Sequence, residues 1–277
     1  MSKFFKILPD LFLTSVVLAL VVAVFPTLNM PDVTVYAKKR PSTTAMIEYR
    51  RQEAQKTGQS YRAKRRWRSL KSIPVIFQKA VIFNEDANFY FHEGIDWEEL
   101  RFALENFIFK QKSMRGASTL TQQLAKNLFL SPDRTMLRKL NEYWLARELE
   151  SVLSKKRILE LYLNTSEWGP GIFGCDRAAR YWYKRDLSRL SADELIALAS
   201  ILPAPLKWSP LNPSRRLRKK IVRSRKMLIR NGYIRARSQS LIRKDDVIRD
   251  GTKKVPDQMR RSRAKIDSLG IEKLLPH

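Results

Sequence analysis

The chain has 277 residues and a formal net charge of +27, so it requires an anionic partner or surface. Nucleic acid, anionic lipid head groups and a pyrophosphate-bearing substrate all meet that requirement on charge alone. The length suits one domain of common size with appendages and excludes two full domains. The single cysteine excludes an intrachain disulfide, and with only two histidines it also excludes an ordinary zinc site. We expect this residue, Cys175, to be a small core residue.

The amino-terminal segment contains a run without charge at positions 11–30, about the twenty residues that cross a hydrocarbon core of about 30 Å. We interpret it as one uncleaved transmembrane helix. A buried globular helix and a signal peptide are the alternatives, but the small residues at 35–37 lie too far beyond the run for a usual cleavage site. Charge leaves the orientation open, because Lys3 and Lys6 precede the run and basic residues at 38–40 follow it.

Residues 38–72 form a strongly basic segment in which aromatic side chains, including Tyr61 and Trp67, alternate with Arg and Lys. One interpretation is a solvated linker. The other is a stalk against anionic lipid, where each basic residue contributes about 1 kcal/mol near the surface and aromatic rings prefer the interface.

Helix signals follow along the chain. Pro74 suits a first helical turn, and the apolar positions after it predict a helix that delivers residues 85–86 at its end. Thr119 and Gln122 have the spacing of a capping box, which predicts a helix from there to Leu130.

Further signals predict more helices in the second half of the chain. Residues 131–132 are a serine cap followed by proline, and we expect a long helix from there to about Leu153. A capping box at 191–194 precedes an apolar helix that stops at Pro203, and residues 214–230 are expected to form a helix against the domain. Since no segment shows a convincing strand alternation, the predicted fold is mainly α.

The long helix has one apolar side at 100° per residue. The residues on that side are Leu137, Leu140, Trp144, Leu145 and Val152. Glu142 lies at the margin of this stripe, a position that suits a carboxylate lining a groove. Asn141 and Glu148 project nearer to its centre, so we expect one or both to be buried with partners.

Large apolar residues also crowd together before Lys110 and Lys112. They are Phe102, Leu104, Phe107, Ile108 and Phe109. These residues either belong to the core or form a partly exposed apolar surface with a basic rim that enters the bilayer.

Two dense motifs carry most of the functional information. Residues 85–96 read Glu-Asp-Ala-Asn-Phe-Tyr-Phe-His-Glu-Gly-Ile-Asp, and residues 115–130 read Arg-Gly-Ala-Ser-Thr-Leu-Thr-Gln-Gln-Leu-Ala-Lys-Asn-Leu-Phe-Leu. They resemble the first two motifs of the peptidoglycan glycosyltransferases (glycosyltransferase family 51), and the second is similar to the monofunctional members. The three other family blocks follow in order, at 138–142, 156–174 and 192–203.

This chain departs from the family pattern at few positions. Many members carry a basic residue where this chain has Ala87 or Asn88, and the second motif more often begins Gly-Gly than Arg115-Gly116. None of these positions has an assigned catalytic role. The resemblance covers roughly residues 70 to 210.

The resemblance implies a mainly helical, lysozyme-like domain of two lobes that follows one transmembrane helix and acts on the outer face of the cytoplasmic membrane. It implies polymerisation of lipid II into linear glycan strands for the cell wall, with the growing glycan as donor, release of undecaprenyl pyrophosphate, and inversion to a β-1,4 link. A small lobe near residues 102–112 is expected to touch the membrane. The predicted organisation is an amino terminus and anchor at 1–37, a basic stalk at 38–72, the catalytic domain at 73–234 and a basic tail at 235–277.

The reaction needs a base for the acceptor hydroxyl and cations for the leaving pyrophosphate. Glu85 matches the catalytic Glu of the family and is the predicted base, with the charge of Asp86 expected to raise its pKa. Glu142 matches the second family carboxylate; an ordinary i,i+4 pair with Arg138 is the alternative. Both Glu85 and Glu142 are predicted to be catalytic.

Cationic and neutral side chains complete the predicted site. Arginine binds phosphate oxygens in a fork and lysine acts as a point charge, while hydroxyl and amide groups at a helix start receive phosphate or sugar. The residues predicted to bind substrate are Asp86, Ser118, Thr119, Gln122, Gln123, Lys126, Arg134, Arg138 and Asn164. Thr119 and Gln122 could instead serve only as helix caps.

The sequence requires no cofactor, and it leaves open a divalent cation, Mg²⁺ or Mn²⁺, at the pyrophosphate. The expected partners are lipid II, the glycan chain, membrane lipids and other wall-synthesis or division proteins. Nucleic acid is not expected, because the chain lacks a recognisable binding motif. A muramidase or lytic transglycosylase is the enzymatic alternative, although it would not need the cations. A catalytically idle scaffold is the other alternative. A bifunctional enzyme with a transpeptidase domain is excluded by the length of the chain, although residues 262–265 have the Ser-x-x-Lys form.

Overall fold

The computed structural model describes residues 14–15, 31–110, 118–133 and 135–235, without the side chains of residues 107 and 110. The predicted transmembrane helix lies almost wholly outside the described residues. Arg134, Lys112 with the start of the second motif, and the tail beyond residue 235 lie outside them too. Within the described part, the search for a helix both long and apolar enough to cross a membrane finds none.

The described residues are mainly helical, which confirms the predicted fold class. The helices are α1 (Ala45–Lys56), α2 (Val75–Glu85), α3 (Trp97–Lys110), α4 (Leu120–Phe129), α5 (Met136–Val152), α6 (Lys155–Thr165), α7 (Cys175–Tyr183), α8 (Ala192–Ser200) and α9 (Arg215–Arg230). A small sheet in the order β1-β3-β2 joins them, with strands β1 (Lys64–Arg65), β2 (Glu167–Gly169) and β3 (Ile172–Phe173). Strands this short cannot show an alternating pattern, so the sequence gives no sign of them.

The core lies between two groups of packed helices. Helix α2 packs against α8 and α9, and α4 packs against α5, α6 and α1. Phe77 on α2 and Trp168 on β2 are fully buried, and their ring centroids are 5.3 Å apart. Cys175 is fully buried, as expected of a core residue.

Local capping signals place most helix ends correctly. Both predicted capping boxes are present, at Thr119 for α4 and at Ser191 for α8. The predicted start of α5 is wrong, because its N-cap is Thr135, whose hydroxyl accepts a hydrogen bond from the backbone N–H of Arg138. Ser131 instead donates to Asp133 at 2.7 Å.

The predicted buried face of α5 is only partly correct, because Leu145 is buried and Val152 packs against the core but other positions of the stripe are exposed. Its buried positions are Glu142, Leu145, Ala146 and Leu149, a spacing of i, i+3, i+4 and i+7 that faces α4 and α6. Leu137 is 67% exposed, and Trp144 and Glu148 are exposed as well. Apolar side chains on both sides of the helix made the stripe ambiguous, and the neighbouring helices decide which side is covered.

The basic segment before α2 packs against the domain, so the solvated-linker interpretation is wrong for residues 64–72. Strand β1 pairs in parallel with β3, and the Asn164 side chain binds the backbone of Arg68. Val33 is 1% exposed and Tyr36 packs against the same core. The chain on both sides of residue 37 therefore contributes to the folded domain.

The apolar residues of α3 are exposed, which contradicts their assignment to the core. Phe102 is 51% exposed, Ile108 is 57% exposed and Phe109 is 79% exposed. Trp97 at the start of the same helix is also exposed. The side chain of Phe107 lies outside the described residues. Helix α3 thus exposes several large apolar side chains, of the kind found at membrane or protein contacts.

Candidate active site

Glu85 ends helix α2 with its carboxylate in a nearly closed environment, 9% exposed. One oxygen accepts a hydrogen bond from the Lys220 ammonium at 3.1 Å, and the other accepts from the Gln123 amide at 3.4 Å. Burial raises the pKa of the Glu85 carboxyl, while Lys220 and Gln123 lower it in part. Repulsion by Asp86 also raises this pKa, as expected from the sequence, but it is the smallest of these effects.

Asp86 is buried, and its carboxylate binds other residues of the protein. Both of its oxygens lie 3.0–3.1 Å from Nε2 of His92, and one accepts the Leu120 backbone N–H at 2.8 Å. This N–H lies in the first turn of α4, so Asp86 ties the start of that helix to the end of α2. The contacts of Asp86 favour a role in positioning Glu85 over direct contact with substrate.

The start of α4 also depends on a close backbone approach at Gly94. This glycine has φ +86°, and a Cβ at this position would lie 2.9 Å from the Ala146 carbonyl oxygen. The Thr119 hydroxyl donates to the Gly94 carbonyl at 2.6 Å and accepts from the Gln122 N–H. Thr119 and Gln122 are both buried and form the capping pair of α4, the alternative role that the sequence left open for them.

Gln123 links Glu85 to a buried tyrosine. Its side-chain oxygen accepts a hydrogen bond from the Tyr162 hydroxyl at 2.9 Å, which orients its amide nitrogen toward Glu85. Tyr162 is 1% exposed, and burial raises the pKa of its phenol well above the usual value. Tyr162 therefore stays protonated and acts as a fixed donor to Gln123.

Glu142 occupies a second carboxylate position on α5 and is 3% exposed. Arg138 donates to one of its oxygens at 2.7 Å, and Lys139 forms an ion pair with the other. The Lys139 ammonium also donates to the Ser118 hydroxyl at 3.1 Å. The predicted i,i+4 pair is thus present, and it is part of a larger cluster that contains the predicted substrate-binding residues Ser118 and Arg138.

Lys126 on α4 is the cation available to a ligand. Among the described residues it makes no hydrogen bond or ion pair with another side chain, although it is largely buried. Burial lowers the pKa of its ammonium; Glu142 opposes this effect most strongly, and Glu85 opposes it weakly. The charges of both carboxylates therefore act on Lys126. Arg134, the third predicted cation, lies outside the described residues.

Asn164 does not reach this region. It is fully buried, and its amide binds the backbone of Arg68 and the Glu160 carbonyl at 2.7–2.8 Å. With its oxygen and nitrogen already paired, its assignment to substrate binding is corrected to a structural role. It holds the basic segment against α6.

Three residues of the site were missed in the sequence. Lys220 lies in the basic region that predicted only a packing helix, Lys139 follows a residue that was assigned, and Tyr162 falls inside a matched family block. The available signals were the matched family blocks, at 138–142 for Lys139 and at 156–174 for Tyr162. The described residues contain no group of three or more acidic, histidine or cysteine side chains that could hold an ion. The expectation of a divalent cation stays a prediction.

Comparison with known proteins identifies the family of this chain. A family model described as Transglycosylase matches residues 51–231. The chain is 44% identical over 173 residues to a protein of Pseudomonas aeruginosa named biosynthetic peptidoglycan transglycosylase, covering 62% of this chain and 74% of that protein. A protein of the same name from Bordetella pertussis is 40% identical over 202 residues, covering 70% and 82% of the two chains. The chain therefore belongs to the transglycosylase family.

Proposed function

We propose that this protein is a peptidoglycan glycosyltransferase that polymerises lipid II into linear glycan strands. The family match and the names of the relatives support the activity. The observation that carries the mechanism is the pair of largely buried carboxylates, Glu85 and Glu142, whose charges both act on Lys126, a lysine without a hydrogen bond or ion pair among the described residues. A base, a second carboxylate and an available cation are the groups that this transfer needs.

Glu85 acts as the general base. The acceptor hydroxyl of lipid II attacks the anomeric carbon of the growing glycan, its proton passes to Glu85, and the bond to the lipid pyrophosphate breaks. A carboxylate whose pKa is raised by burial is a stronger base than one in water, and the charge of Lys220 limits that rise. Gln123, held by Tyr162, orients the second oxygen.

The pyrophosphate is bound by the cations of α4 and α5. Lys126 supplies a charge that the protein does not neutralise, and Arg138 keeps a buried Nε–H without a hydrogen bond. Glu142 holds Arg138 and Lys139 in place until substrate oxygens compete for them. Charge on the leaving group grows in the transition state, so these contacts strengthen as the bond breaks. We include Arg134 in this cluster on the family resemblance.

The protein acts at the membrane surface. Its substrate carries a lipid, and α3 exposes Trp97, Phe102, Ile108 and Phe109, a surface suited to the acyl boundary. We assign residues 11–30 as the single transmembrane anchor on their length and lack of charge. The catalytic domain then lies on the outer face of the cytoplasmic membrane.

The decisive experiment incubates the full chain in detergent with labelled lipid II and separates the products by size. We expect polymer from the wild type and none from Glu85→Gln, because the amide keeps the shape but cannot accept a proton; loss of a general base costs about a hundred- to ten-thousand-fold. A variant that polymerises at near wild-type rate would remove Glu85 from the mechanism. Cleavage of preformed glycan without polymer would instead identify a lytic enzyme. If the protein shows neither activity, the scaffold hypothesis remains.

A further inference from the structure

A strongly cationic cavity of about 530 Å³ lies between strand β1 and helix α7, lined by residues outside the candidate active site. Apart from one alanine, the side chains that line it are basic: Arg62, Lys64, Arg65, Arg66, Arg177 and Arg180. We call this cavity the arginine pocket. Like charges separate unless something holds them together, so its construction needs an explanation.

The pocket is built around a buried acid at the start of α7. Asp176 is fully buried, and its carboxylate lies 3.3 Å from Nε of Arg66 and 2.8 Å from Nε of Arg68. Just before it, Gly174 has φ +84°, and a Cβ there would lie 3.0 Å from the Asn164 carbonyl oxygen. The glycine lets β1 and α7 approach closely, and the acid draws the arginines onto the same surface.

Two acids do not neutralise the pocket. Asp176 and Asp186 pair with Arg66 and Arg180, both of which line it. Arg62, Lys64 and Arg177 make no ion pair among the described residues. The pocket therefore carries an excess of positive charge that the protein leaves uncompensated.

Several of its guanidinium groups are also short of acceptors. Arg65 donates through one terminal nitrogen to the Ser42 carbonyl at 2.7 Å, while its other terminal nitrogen is buried without a hydrogen bond. The Nε–H of Arg177 is buried without a hydrogen bond as well, and that of Arg180 has only the Asp176 carboxylate at 3.7 Å, beyond hydrogen-bond distance. Burying a charged donor without an acceptor is unfavourable, so a site of this kind gains free energy when an anion supplies the missing acceptors.

We propose that the arginine pocket binds a phosphate group. Guanidinium forks match carboxylate and phosphate, but a phosphate offers more acceptor oxygens to several forks that converge from different directions. A phospholipid head group and free phosphate share this chemistry. In sequence, the pocket residues of β1 follow the amino-terminal segment that includes the uncharged run at 11–30. A head group at the membrane surface is therefore the source we expect.

The test compares two charge-matched double variants of the full chain in detergent. Arg62→Gln with Arg177→Gln removes two pocket arginines that make no ion pair, so no acid loses its partner. Arg215→Gln with Arg230→Gln removes two exposed arginines from the ends of α9. The probes are phosphatidylglycerol in mixed micelles, with phosphatidylcholine as reference, and inorganic phosphate in equilibrium dialysis; thermal melting checks that each variant is folded.

We expect the pocket variant to bind phosphatidylglycerol about tenfold more weakly or worse, with the α9 variant within about twofold of the wild type. If the loss appears with inorganic phosphate but not with phosphatidylglycerol, the ligand is free phosphate rather than a head group, and the pocket assignment stands. Equal weakening in both variants would mean that general basicity is responsible. That result, or a wild type that binds neither probe, overturns the proposal.

Discussion

Replacement of Lys220 by methionine tests how the base is tuned. Lys220 donates to Glu85 at 3.1 Å and to the Asn84 carbonyl at 3.2 Å, so methionine keeps the length of the chain but removes the charge. Lys220 lowers the pKa of Glu85 against the effect of burial. Without it the pKa of Glu85 rises further, and a larger fraction of the enzyme carries a protonated, inactive base at a given pH.

The size of the effect follows from the contact that is lost. A hydrogen bond to a charged group is worth about 1.5–3 kcal/mol, and Glu85 is only 9% exposed, so water replaces this contact poorly. About 1.4 kcal/mol corresponds to a factor of ten. At pH values on the acidic limb of the profile, kcat/KM should therefore fall by about ten- to a hundred-fold. At high pH, where Glu85 is deprotonated in both proteins, the two rates should converge unless Lys220 also touches substrate.

The assay measures kcat/KM for polymerisation of labelled lipid II as a function of pH. The acidic limb of the Lys220→Met profile should move to higher pH. Lys219→Met is the matched control, because Lys219 is an exposed neighbour on the same helix, and its profile should follow the wild type. An unchanged acidic limb for Lys220→Met, or a shift to lower pH, would refute the assignment of Glu85 as a base tuned by Lys220.

Three further outcomes are expected. Lys126→Ala should lower turnover and donor binding together, while Lys226→Ala, an exposed lysine on α9, should not; equal losses in a lipid II assay would rule out a specific clamp. Thr119→Ala should lower the free energy of unfolding by about 1–3 kcal/mol in urea denaturation, since it removes the α4 cap and the bond to the Gly94 carbonyl. Protein lacking residues 1–30 should still sediment with anionic vesicles through α3, and Phe109→Ser should weaken that binding about tenfold; unchanged binding would argue against membrane contact by this helix.

The local features of this protein were predictable because they depend on residues that are close in sequence. The capping boxes at Thr119 and Ser191 each involve a side chain and a backbone N–H three residues apart, and both formed as expected. The helix at 214–230 has a one-sided apolar pattern, and it spans Arg215–Arg230 in the structure. The ordered motifs likewise indicated the family without any knowledge of the fold.

Other features were decided only when distant segments packed together. Glu85 and Lys220 are 135 residues apart in sequence, and no local pattern links a helix-end carboxylate to one lysine among many. The covered face of α5 depends on α4 and α6, so Leu137 is exposed although its pattern suggested burial.

The position of the basic segment before α2 was also decided by packing with a distant part of the chain. Its sequence is compatible with a solvated linker, but buried Asp176, more than a hundred residues further along, pairs with Arg66 and Arg68. Composition alone set the total charge of the chain. Tertiary packing determined which charges are neutralised and which, as at Lys126 and in the arginine pocket, are left for a ligand, because pairing depends on distance in space and not on order in the sequence.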